Sequence, residues 1–197
     1  MSHDRKSDFV GDSPLASREC LRPRQCCCSR EKGKARSISY INQECGFELT
    51  RLADWKVTVK PNPHPRGSCD LVVTLSQTST DKSVEKHSIN VLIVDKDYES
   101  AIRYAGLVQK DGLWQTEGRQ GMLSPAEEIH GETWIGLNAP TMVGCFDEHG
   151  YAGLGQMPGA VLNNKAKKSA LIDTGDECDT ADDVGFDLFL KAFEFVH

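Results

Sequence analysis

Residues 171–175 read Leu171-Ile172-Asp173-Thr174-Gly175, a carboxylate at the end of an apolar run and followed by Thr-Gly. Two such carboxylates, sharing one proton and holding a water between them, activate that water for attack on an amide. One copy supplies half of that device. The chain has no second Asp-Thr-Gly and no Asp-Ser-Gly. Directly after it, Asp176, Glu177, Asp179, Asp182 and Asp183 set like charge beside Asp173. The tripeptide therefore reads as the end of a strand passing into a turn.

Asp173-Thr174-Gly175 with its two preceding apolar residues resembles the signature of retroviral-type and pepsin-type aspartic proteases, over five residues. A protomer of the dimeric type implies a flap and a closing strand after its Asp, and the short remainder beyond Gly175 has no room for them. A hydrolase acting through Asp173 is thus the alternative reading. A second alternative is a nucleophile and base in Cys145 and His149, four residues apart, although Gly144 to Gly150 is more simply a hairpin. His130-x-Glu132 echoes the His-x-Glu of zinc deaminases, but the chain has no Cys-x-x-Cys to complete a metal shell. Gly153-Leu154-Gly155 is a near miss for a phosphate loop, interrupted by Pro158 and Gly159 where a helix N-terminus is needed. The acidic run from Asp173 to Asp183 lacks the spacing and central glycine of a calcium loop. Catalytic residues, metal and cofactor are accordingly all expected to be none.

Charge divides the chain. Residues 1–40 hold nine Lys/Arg against five Asp/Glu, a net of +4, and residues 41–197 hold 14 against 24, a net of −10. The acidic body disfavours nucleic acid. Residues 1–40 are basic, Ser-rich and without apolar periodicity, which predicts a disordered arm. Cys20, Cys26, Cys27 and Cys28 fall in that arm, and adjacent cysteines cannot all face one tetrahedral ion.

Residues 41–197 form one globular domain in this reading. Its cysteines, Cys45, Cys69, Cys145 and Cys178, are either two disulfides of an oxidising compartment or four reduced thiols. Cys45–Cys69 and Cys145–Cys178 are the candidate pairings. The first 25 residues contain no apolar stretch of signal-peptide length, which points to the cytoplasm as the sequence is written. A different start or a processed arm would make the protein periplasmic or secreted. The longest apolar run, Val91 to Val94, is too short to span a bilayer.

Strands are predicted around Phe47 and Leu49, over 55–59, 69–76 and 88–95, and again within 132–139, 141–147, 151–157 and 169–174. Tyr98, Ala101, Ile102, Ala105 and Val108 share a helical face, which predicts a helix over about 96–110, capped by Asp95 or Asp97 and stopped by Gly112. Residues 122–128 read as a loop with a helical turn begun by Ser124 and Pro125. A second helix carries Val184, Phe186, Phe189 and Leu190 into Phe193-Glu194-Phe195. The expected class is α+β, a mainly antiparallel sheet with flanking helices.

In order, Gly46-Phe47-Glu48-Leu49, Trp55, the meander, the helix near 96–110 and the closing Phe193-Glu194-Phe195 resemble the PsbP/Mog-type family over residues 45–196. The chain departs from it at Leu52-Ala53-Asp54-Trp55, where Pro-x-Gly-Trp is common. The resemblance implies a sandwich fold and a non-enzymatic role, as a subunit or adaptor that binds a protein partner. Trp114, Trp134 and Tyr151 are the candidate binding aromatics, and a homodimer is compatible with the sequence.

Overall fold

The computed structural model describes residues 38–78, 83–118, 121–147, 150–175 and 182–196. The expectations placed on residues 1–37, on His149 and on Cys178 lie outside them. Among the described residues the first element is β1 (Ile38–Asn42), then β2 (Phe47–Thr50), β3 (Lys56–Pro61), β4 (Asp70–Thr78) and β5 (Val84–Val94). α1 (Tyr98–Tyr104) leads to β6 (Val108–Lys110), β7 (Leu113–Glu117), β8 (Leu123–Pro125), β9 (Glu127–His130) and β10 (Ile135–Asn138). β11 (Thr141–Asp147), β12 (Gly150–Met157), β13 (Gly159–Asn163), β14 (Ser169–Asp173), α2 (Asp182–Ala192) and β15 (Phe193–Phe195) complete it. β1 already pairs with β2, so the folded body starts ahead of residue 41.

Seven strands form the main sheet in the order β3-β4-β5-β14-β13-β10-β9. Every neighbouring pair is antiparallel. Period-two alternation gives each face its own core. On one face Leu71, Val73, Ile89, Val91, Leu162 and Ile172 are buried beneath Phe186 and Phe189 of α2 and the phenylalanines of the small sheet β1-β2-β15. On the other, Leu137 and Val161 meet Ala101 and Ile102 of α1, with Leu107 beside them.

The α+β sandwich with flanking helices is overturned: among the described residues strand far outweighs helix, which makes this a mostly antiparallel β-rich fold with two short helices. The helix expected over 96–110 ends at Tyr104 with Ala105 as its cap, because Gly106 takes φ +85° and breaks the ladder six residues before Gly112. Asp111 (φ 53°) and Gly112 (φ 81°) instead make a two-residue turn between β6 and β7. Both φ values are positive, as a turn matched to strand twist requires. Residues 122–128 hold no helical turn; β8 and β9 run through them, and Ala126 N donates to Trp114 O at 2.9 Å. Pro158 is followed directly by β13, which Gly159 opens and which is paired on both sides.

Cys45, in the turn between β1 and β2, is bonded to Cys69, just before β4, with Cα atoms 5.6 Å apart. This distance suits a disulfide. Cys145 is also disulfide-bonded, and since Cys45 and Cys69 hold each other, its partner lies outside the described residues. The nucleophile–base reading of Cys145 and His149 is corrected by this: an oxidised sulfur is not a nucleophile. Among the described residues no helix is long and apolar enough to cross a membrane.

Candidate functional site

Asp173 closes β14 opposite Asn90 on one side and Gly159 on the other. Its Oδ1 accepts from Asn90 Nδ2 at 2.6 Å. Gly175 takes φ +69°, and a Cβ there would run into the Asn90 side chain. The glycine of the tripeptide is thus explained by packing and by the turn. Burial pushes the Asp173 carboxyl above its ordinary value; Asn90 and the nearby charge of Arg66 oppose this without cancelling it.

A second carboxylate lies across β5. Asp70 is buried, 2% exposed, and accepts from Asn62 Nδ2 (3.0 Å), Arg66 N (2.8 Å) and Arg66 Nε (3.1 Å). Burial alone would raise it, but the bonds from Arg66 and Asn62 outweigh that and hold it below the ordinary range. Each carboxyl therefore has its own donors. Asp70 faces Leu92 and Asp173 faces Asn90, two residues along β5, and neither carboxyl bonds to the other.

The opposite shifts give opposite pH effects. Asp70, depressed on folding, contributes stability above its unfolded value near 3.8 and loses it as pH falls through its lower folded value. Asp173, raised on folding, contributes stability at low pH and loses it as pH climbs from 3.8 through its folded value. Asp173→Asn is therefore expected to raise the urea midpoint at neutral pH, with the gain vanishing below pH 3.8. A midpoint that falls at neutral pH would contradict the assignment. The neighbouring Thr174 is 2% exposed and its Oγ1 has no hydrogen-bond partner. Thr174→Val removes that hydroxyl at constant shape and should stabilise by about 1 kcal/mol, measured by the same unfolding curves.

Asp173 stands at the wall of a hollow of about 390 Å³ on the α1 face of the main sheet, with Leu107, Thr116, Ala139, Val161 and Leu171 among its lining residues. That volume is within the range of small-molecule sites. A second hollow, of about 400 Å³, opens on the opposite face between the β9–β10 hairpin and α2. Ile129 and Trp134 line it from the hairpin and Leu190 from α2; Glu132, Asp187 and Glu194 bring carboxylates, Arg51 and Lys191 cations.

Trp134, one of the candidate binding aromatics, lies in the core: it is 4% exposed and its indole N–H donates to Phe193 O at 2.8 Å. The indole fits because residue 131 is glycine; a Cβ there would overlap the ring. Glu194, buried in β15, accepts at Oε2 from Thr133 N (3.1 Å) and Thr133 Oγ1 (2.6 Å), which fastens the hairpin turn to the chain end. Outside, Arg51 pairs with Glu132 at 2.7 Å.

Among the described residues β9 is an edge: it pairs with β10 and with no other described strand. Gly131 N donates to Trp134 O at 3.0 Å, so residues 131 and 134 form a hydrogen-bonded pair of the ladder. By alternation Glu128 and His130 then direct N–H and C=O away from β10.

Trp114 is half-buried against α1, with the Arg103 guanidinium 5.1 Å from its ring centroid. Tyr151 lies in β12 opposite Phe146, and its side chain is outside what the structure describes. Gly153 and Gly155 are strand residues of β12, opposite Cys145 and Val143. Among the described residues no three His, Cys, Asp or Glu side chains cluster as metal ligands. Neither a protein-family model nor a curated protein matches this sequence.

Proposed function

We propose that this chain is a non-enzymatic protein-binding domain of an oxidising compartment, which takes an extended segment of its partner as an added strand on β9. The observation that carries the reading is the unpaired β9 edge beside an apolar hollow: main-chain bonds supply affinity there and a side chain in the hollow supplies specificity. The opposite edge of the main sheet is poorly suited to this, because β3 carries Lys56, Lys60 and Pro61, residue types that oppose strand addition. Glu127 and Glu128 are exposed along β9. The partner segment is accordingly one large apolar residue flanked by lysine or arginine. A second copy of this chain is a poorer occupant, since its own Glu127 and Glu128 would face the first pair.

Two observations weigh against a hydrolase. Asp70 and Asp173 have separate hydrogen-bond donors in place of a shared proton, and Cys145 is oxidised. The disulfides support an oxidising compartment over the cytoplasm.

Selection of random peptides on the full chain tests the reading. Enriched peptides are expected to carry the apolar residue with basic flanks. His130→Pro, which deletes an outward N–H that β10 does not use, should weaken them at least tenfold, whereas Asp173→Asn should leave them unchanged. Peptides without that pattern, or binding indifferent to His130→Pro, would remove the edge from the mechanism.

A further inference from the structure

We propose that the hollow on the α1 face is a second, separate site that binds a small organic ligand carrying a primary ammonium group, its head on Asp173 and its apolar body along Leu107, Ala139 and Val161. This stands apart from the β9 edge, on the other side of the sheet, and does not depend on it.

Three observations converge. The first is an unbalanced charge. Arg66 is the cation nearest to Asp173 in effect, but its Nε and backbone N–H are both bonded to Asp70. Among the described residues Asp173 itself has no ion-pair partner, only the amide of Asn90 and a backbone N–H from Gly175. Those two donors leave acceptor capacity on a carboxylate with about four lone-pair sites. A largely buried carboxylate without a counter-ion is costly, and burial indeed disfavours its charged form. A cation entering the hollow would relieve that cost.

The second is room at the carboxyl. Its cross-strand neighbour is Gly159, with no side chain to fill the space beside it. A Cβ on Gly159 would approach Ala139 O to 3.0 Å, so backbone packing keeps this position small. Ala139 and Ala160 are small as well, and together these residues leave the hollow of about 390 Å³.

The third is the chemistry of the wall. Val161 lies opposite both Leu171 and Leu137, so the floor is an apolar ladder. Thr116 lines the same hollow, and its hydroxyl donates to Pro140 O at 2.6 Å. With its proton committed, that oxygen presents lone pairs and is an acceptor for a ligand N–H. Arg66 also lines the hollow, but its guanidinium is paired with Asp70 at 3.1 Å, so among the described residues Asp173 remains the carboxylate without its own cation. With Thr116 and the apolar floor it suits an alkylammonium, whereas a carboxylate head would meet Asp173 as a like charge.

Hexylamine, 1-hexanol and hexanoate share a body and differ in the head, which makes them suitable probes. Titrated into the full-length, disulfide-intact protein and followed by amide chemical shifts, hexylamine should bind at least tenfold more tightly than hexanol, and hexanoate most weakly. The shifts should centre on Val161, Leu171 and Asp173. Saturating amine should also lower the titration midpoint of the Asp173 carboxyl, because an ammonium favours the ionised form; Arg66 and Asp70, the other charges acting on it, are the same in both arms. Asp173→Asn should reduce amine affinity to that of hexanol. Equal binding of amine and alcohol, shifts centred on Ile129 and Leu190 in the other hollow, or an Asp173 midpoint unmoved by amine would each overturn the site. The titration uses the unmodified protein, so it decides the matter even if the variant does not fold. Because peptide binding at β9 is read separately, failure here leaves that reading standing, and the reverse.

Discussion

Phe193→Ala is expected to lower stability by about 4 kcal/mol, the largest effect of any single truncation in this core. The residue is 0% exposed and sits where α2 passes directly into β15. Its ring stacks on Phe47 at 5.4 Å and 16°, meets Phe189 at 5.8 Å, and stands edge-on to Phe195 at 5.1 Å. Phe47 belongs to β2, Phe189 to α2 and Phe195 to β15, so one side chain joins both ends of the described chain to the helix. Truncation removes the transfer free energy of the ring and leaves a cavity between strands β2 and β15 and helix α2, which are held by their own packing and cannot easily collapse inward. Its backbone oxygen, which accepts the Trp134 indole, stays in place, so the loss is one of packing. Urea unfolding at constant m measures it. Val184→Ala, on the same helix at 64% exposure, is the control and should change stability by less than about 0.5 kcal/mol. A Phe193→Ala loss under about 1 kcal/mol would mean that β15 is not docked on β2.

Most strands were legible because they alternate. Trp55, Val57 and Val59, or Leu71, Val73 and Leu75, mark a face with a period of two, and that period survives whatever the strand later pairs with. The apolar run at Val91 to Val94 was equally plain, since β5 is central and buried by both layers. What failed was the boundary between periods. Ala101, Ile102 and Ala105 fit a helix, and Val108 fits the same face by spacing, so the pattern alone carries the helix past Gly106. Asp111-Gly112 is a strong hairpin signal; read as a helix stop it hid β6, although residues 113–118 read as extended and match β7. β13 was missed for a related reason. Gly159-Ala160-Val161-Leu162-Asn163 follows a proline, yet Pro158 precedes the strand and so removes no bond from its ladder.

The candidate sites were legible in part. Asp173 attracts notice by sequence, and it does line a hollow, but its partners Asn90 and Arg66 lie 83 and more residues away along the chain and no local pattern connects them. Trp134 illustrates the opposite difficulty. An aromatic in a strand pattern faces either core or solvent, and the deciding residue was Gly131, three positions earlier, whose missing side chain makes space for the indole. The β9 edge could not be read at all, because whether a strand has one neighbour or two is a property of the assembled sheet.

Removing the Cys45–Cys69 bridge is the other large effect. The cross-link closes a loop of sequence separation 24, for which loop-closure entropy in the unfolded chain gives about 3.5 kcal/mol. The native side adds to this. Cys45 is 4% exposed in the core cluster with Phe47, while Cys69 O accepts from Ile93 N at 2.9 Å beside the main sheet. The bond therefore ties the small sheet β1-β2-β15, which has only three strands, to the seven-stranded one. The double variant Cys45→Ala/Cys69→Ala leaves the Cys145 bridge intact and isolates this contribution, so its urea midpoint should fall while that of the oxidised parent stands. Alkylating the unreduced parent and mapping its peptides should leave Cys45, Cys69 and Cys145 unlabelled. A double variant as stable as the parent, or labelled Cys45 and Cys69, would mean that the native chain holds them as thiols. Against the 5–15 kcal/mol of an ordinary domain, 3.5 is enough to decide whether the small sheet stays closed. β15 depends on that closure, since Val196 N donates to Gly46 O at 3.1 Å next to Cys45, and Glu194 of β15 anchors Thr133 at the end of the β9 hairpin. Reduction is thus expected to loosen the edge on which partner binding is proposed, which makes an oxidising environment a condition of that function as well as of stability.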